Sequence, residues 1–142
     1  MSDYLEDELI KHIFRTGSFT KPTVLAIALL TAATNDAGIG QFSTGSGTEV
    51  ANAGAYARVA RNPLDANWTA TAGGDGQTDN AAAITFAAAT ASWGTVTDLA
   101  IVDSATYDAG NMLFYTPVTT SRTIDSGDTA EIAAGAITVT FA

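Results

Sequence analysis

Few side chains in this sequence have the type and spacing that chemistry demands. His12 is the only histidine. It falls near the end of a stretch with helical periodicity, where it is expected to offset the helix dipole or face solvent rather than transfer protons. Gly45-Ser46-Gly47 resembles a fragment of a nucleophile elbow, but its glycines lack the required spacing and no strand-to-helix turn surrounds it. The run Gly73-Gly74-Asp75-Gly76-Gln77-Thr78-Asp79-Asn80 offers hard oxygen ligands of the kind calcium takes. It occurs once and is out of phase with the nonapeptide repeat, so a solvated turn is expected there. No Gly-Lys-Ser/Thr phosphate loop is present. The carboxylates are scattered, with no second feature to mark a glycosidase pair. The expectation is a protein that is not an enzyme and takes no cofactor or metal.

Aromatic side chains offer a second kind of chemistry. Trp68 and Trp93 are large enough to stack on sugar rings, although core packing or a subunit interface is the commoner fate of a tryptophan. Asn67-Trp68-Thr69 matches a glycosylation sequon, which the lack of a secretory signal makes a chance match.

Composition narrows the field further. The chain has 142 residues, with 6 basic and 15 acidic side chains, a net charge of −9 and no cysteine. Such acidity argues against nucleic acid, because phosphate binding needs clustered Lys and Arg. Without cysteine there is neither a disulfide framework nor a thiolate metal site. An acidic N-terminus without an apolar h-region predicts synthesis in the cytosol without a Sec-type signal, and no apolar run approaches the length of a membrane span. The charge is divided unevenly: residues 1–61 carry a net −1 and residues 62–142 a net −8. Ala and Thr supply 28 and 22 positions, which suits closely packed layers of half-buried strands.

The elements that would position these residues begin with one helix. Acids fill its first turn, Lys11, His12 and Arg15 its last, and Leu5, Leu9, Ile10, Ile13 and Phe14 form an apolar stripe. Asp3 with Glu6 reads as the cap, and Gly17 as the stop. From Pro22 onward the pattern is strand and loop. Thr23–Ala32 has the aliphatics on both alternations that a central strand needs. Ala55–Arg61, Asn67–Ala72, Ala83–Ala88, Val96–Asp103, Asn111–Val118, Arg122–Ile124 and Ala136–Phe141 follow at sandwich-like spacing, with Gly73–Asn80 read as a flexible loop. Residues 35–54 form a long Gly/Ser/Thr-rich loop of open role. The expected fold is mainly β, an antiparallel, jelly-roll-like β-sandwich with one N-terminal amphipathic α-helix. The helix occupies residues 1–16 and the sandwich 22–142, in a single domain overall.

Long Gly-rich loops and an apolar helix suit a subunit that pairs with neighbours. The helix stripe either caps its own sandwich or lies on a partner.

Several blocks carry a family resemblance. Tyr4-Leu5-Glu6, Leu9, Ile13-Phe14, Pro22-Thr23 and Ala28-Leu29-Leu30-Thr31 open it. Gly54-Ala55-Tyr56-Ala57-Arg58, Ile84-Thr85-Phe86 and Trp93-Gly94-Thr95-Val96-Thr97 continue it. Ala100-Ile101-Val102-Asp103, Gly110-Asn111-Met112-Leu113-Phe114, Arg122-Thr123-Ile124 and Gly127-Asp128 close it. In order and over nearly the whole chain, these blocks resemble a family of small tailed-bacteriophage virion proteins. That family is often labelled phage tail fibre protein and is similar to capsid decoration or cement proteins.

The resemblance implies one of two roles. In the first, the chain is a capsid cement subunit on the exterior of the virion, bound to the major capsid protein and to copies of itself, for instance as a trimer. Leu5, Leu9, Ile13 and Phe14 then form the helix anchor, and Arg58 and Arg61 pair with carboxylates on neighbours. In the second, it is a tail fibre or tail-tip adhesin that stacks a host surface glycan on Trp68. Neither role involves nucleic acid or a membrane.

Overall fold

The computed structural model describes residues 1–33, 49–71 and 74–141. The glycine-rich Gly45-Ser46-Gly47, most of the 35–54 loop and Gly73 lie outside them.

The helix, α1, spans Asp3–Phe14. Its cap is Ser2 rather than Asp3. Ser2 has extended backbone, and its hydroxyl accepts a hydrogen bond from the Leu5 N–H at 3.3 Å. Asp3 is displaced into the first turn, where with Glu6 it still favours the positive end of the helix. At the other end the chain bends back over Lys11: a β-carbon at Gly17 would lie 3.0 Å from the Lys11 Cβ. His12 serves that bend, its Nδ1 accepting the Phe19 N–H at 3.2 Å.

The principal sheet is four-stranded and antiparallel, in the order β2-β1-β5-β6. Its strands are β1 (Ala26–Leu30), β2 (Val59–Ala60), β5 (Gly94–Val102) and β6 (Met112–Ile124). Every residue of β1 is buried, as its double-sided aliphatic pattern requires. Two antiparallel ribbons complete the body: β3 (Gln77–Asp79) with β8 (Thr138–Thr140), and β4 (Ile84–Thr85) with β7 (Glu131–Ile132). The protein is therefore mainly β, antiparallel in every described pairing, with one N-terminal helix.

Register decides which side chains share a face. Ile27 opposes Ile101 and Leu29 opposes Leu99, so these four point to one side of the sheet. There they join Tyr56, Ile84, Phe86, Trp93 and Ile137 in the main core, with Ile132 and Val139 of the ribbons packed against it. Ala26, Leu30, Ala100, Val102 and Met112 point the other way and form a second, smaller cluster. Ala26, Ala28 and Ala100 are fully buried, so small side chains bring this face close to whatever covers it. Each large aliphatic side chain buried in these clusters stabilises the fold by about 1.5–3 kcal/mol.

Three strand expectations change. Asn67–Ala72 does not form a strand, because the N–H groups of Asn67 and Trp68 both bond to the Leu64 carbonyl and wrap the chain into a turn. A single bridge from Trp68 to Asn80 remains. The supposed loop Gly73–Asn80 contains β3, started by an Asx turn in which Asp75 Oδ1 accepts the Gln77 N–H at 3.0 Å. Asn111–Val118 and Arg122–Ile124 are one strand of 13 residues, β6, with Val118–Ser121 bulged opposite the single residue Thr97.

Candidate interaction surface

The helix is tied to the body at one end only. The Ser2 N–H donates to the Leu113 carbonyl at 3.0 Å, and its hydroxyl donates to the Met112 carbonyl at 2.5 Å. One buried residue therefore caps α1 and pins it to the start of β6. Leu5 is buried beside this tether, and Tyr4, Glu8 and Leu9 are half-buried. At 3.6 residues per turn, Ile10, Ile13 and Phe14 share one face whose centre lies roughly opposite Tyr4 and Glu8. They are 54%, 65% and 78% exposed. The stripe is thus split: Leu5 serves the protein's own core, whereas Ile13 and Phe14, joined by Ile10, face outward and stay largely exposed. Ile10 belongs with this surface by its i, i+3, i+4 spacing and is absent from the expected anchor set.

Arg58 does something different from what its sequence suggests. It is 6% exposed and grips Glu49 through two parallel bonds of 2.8 Å, Nε to Oε1 and Nη2 to Oε2. Its Nη1 reaches the carbonyls of Ser104, Thr106 and Ala109 at 2.7–2.9 Å. The expected pairing with a neighbour's carboxylate is therefore incorrect for Arg58, whose charge is consumed inside the fold. Tyr56 completes the group. Its hydroxyl donates to Glu49 Oε1 and accepts the Leu29 N–H, both at 3.0 Å. Burial, followed by the adjacent Glu49 charge, pushes the Tyr56 hydroxyl well above the ordinary tyrosine range. This hub joins β1, the segment after Glu49 and the loop between β5 and β6. Arg61 is half-buried and donates to the carbonyls of Ala60 and Ala83; among the described residues it forms no ion pair.

Both tryptophans are fixed by their indole N–H groups. Trp93 is buried and donates to the Gly54 carbonyl at 2.8 Å, while Trp68 is half-buried and donates to the Arg61 carbonyl at 3.0 Å. Trp68 packs against the main core. It also lines a cavity of about 460 Å³ with Leu25, Leu64, Phe114, Val139 and Phe141. Asp75 and Asp79, the calcium-like pair, are engaged locally by the Gln77 N–H and the Thr138 hydroxyl.

The site is thus a β body held by polar pins, with an apolar helix face turned outward. The model described as Podophage GP4 fiber I protein gp80 matches residues 1–140, so the chain belongs to that family and is a structural protein of a bacteriophage virion. No curated protein matches the chain. No described helix is long and apolar enough to cross a membrane.

Proposed function

We propose that the chain is a structural subunit of the phage fibre apparatus and that the outward face of α1 is its assembly contact. One observation carries the reading: Ile10, Ile13 and Phe14 are exposed together on one helix face, although Ile27, Ile84, Ile101, Ile124 and Ile137 are all buried. A contiguous apolar surface of this kind stays in water at a cost and marks an interaction site. The fibre description of the family supports a contact at the tail.

Capsid cement on the particle exterior, with the major capsid protein as partner, is the second reading. The −8 carried by residues 62–142 favours it, since it suits a crowded outer surface. Copy number separates the two, since shell and tail symmetries differ roughly tenfold in stoichiometry. Tens of copies per virion on a calibrated gel support the fibre reading, and hundreds support cement. For the contact itself, Ile13→Asp with Phe14→Asp, shown to fold by circular dichroism, should be lost from assembled particles. Wild-type incorporation of that variant overturns the assembly role of α1.

A further inference from the structure

The outward helix face has a complement on the same chain. The cavity beside Trp68 is open and apolar, and its rim residues Leu64 and Phe141 are 59% and 54% exposed. Among the described residues, Asp65 is the one charged residue that lines it. The helix end that presents Ile13 and Phe14 carries the opposite sign through Arg15, just past its last turn, and Lys11, which also pairs with Glu8 at 3.0 Å.

We infer that this groove receives the α1 face of a second copy of the chain. The inference rests on the assembly role of α1 proposed above and names the partner of that face. A helix cannot satisfy both surfaces within one molecule as folded, because Ser2 and Leu5 hold its base on β6 while Ile10, Ile13 and Phe14 point away from the body. Between two copies, one apolar helix face enters one apolar groove, basic flank against acidic rim, and both exposed surfaces leave water together. Such a contact joins different patches of the two partners. It closes into a ring, or becomes mutual when each copy lends its helix to the other.

The chain lacks cysteine, so the contact can be read by single introduced thiols. Ile13→Cys and Leu64→Cys alter exposed side chains and are made in separate proteins. Mixed under mild oxidation, they should give a disulfide-linked heterodimer far in excess of the homodimer from either alone. Wild-type protein should sediment as an oligomer, and Leu64→Asp should weaken that self-association roughly tenfold or more, equivalent to about 1.4 kcal/mol. Wild-type protein that sediments as a monomer at high micromolar concentration overturns the inference, as does an oligomer indifferent to Leu64→Asp. So does an intrachain disulfide in the dilute double variant, which would seat the helix on its own groove. If the wild type is monomeric and the α1 variant is still lost from particles, the second copy is ruled out as partner while the assembly role of α1 stands.

Discussion

Arg58 and Glu49 are a charge pair removed from water, and removal is costly unless geometry and hydrogen bonds repay it. Here the geometry is bidentate, and the remaining N–H capacity of Arg58 is spent on carbonyls of the β5–β6 loop. Replacing one partner therefore leaves a bare buried charge. Arg58→Met should lower unfolding free energy by about 3–5 kcal/mol, seen as a drop in the urea midpoint, and adding Glu49→Gln should recover part of it. Tyr56 supplies a pH signature of the same hub. Its folded hydroxyl titrates well above the unfolded value of about 10, so above that pH the unfolded chain binds fewer protons than the native one. This contribution is fully present below pH 10 and is lost as pH rises beyond it. Denaturant midpoints from pH 9 to 11.5 should fall for wild type and fall less steeply for Tyr56→Phe. Ultraviolet titration should show one of the four tyrosines resisting ionisation until the protein unfolds.

Single residues also decide where elements begin and turn. Ser2 both caps α1 and ties it to β6, so Ser2→Ala removes a cap worth about 1 kcal/mol together with the tether. Faster amide exchange confined to α1 should follow, with the strands unchanged. In the β5–β6 loop, Gly110 has φ +81°, and a β-carbon there would collide with the Asp103 carboxylate and the Ser104 side chain. Gly135 has φ +71° with nothing within 4 Å. Gly135→Ala should cost only the left-handed backbone penalty of about 1–2 kcal/mol, and Gly110→Ala clearly more in the same thermal melt. What the sequence disclosed follows the same division between local and distant causes. The helix and the doubly covered β1 are legible because periodicity acts locally. The unity of β6 is not, since Thr119-Thr120-Ser121 reads as a break until β5 is seen to hold both flanks across a bulge. Nor is the fate of Arg58, whose partners lie 9 to 51 residues away. Asp3 outranked Ser2 as a cap only because the carbonyls that fix Ser2 belong to a strand more than 100 residues later.

At the scale of the whole molecule, the surfaces that hold the fold together and the surface proposed to meet a partner are separate. The core lies between the principal sheet and the two ribbons, and the helix contributes Leu5 to the body while its outward residues contribute nothing to it. The anchor expected from sequence mixes these roles, because a stripe of Leu5, Leu9, Ile13 and Phe14 looks uniform until the sheet takes one edge of it. Substitutions should therefore divide into two kinds. Ile10→Ser, Ile13→Ser and Phe14→Ser together alter exposed positions, so the isolated chain should keep its unfolding free energy within about 0.5 kcal/mol per site. The same triple variant should fail to enter virions, for it erases the contiguous apolar face without disturbing the Ser2 tether. Leu5→Ser should behave oppositely, destabilising the chain by about 2 kcal/mol through loss of a buried aliphatic side chain. Urea unfolding of the purified variants, set beside their incorporation into particles, checks both. A triple variant that unfolds as easily as Leu5→Ser would return the outward face to the core and remove its claim to a partner.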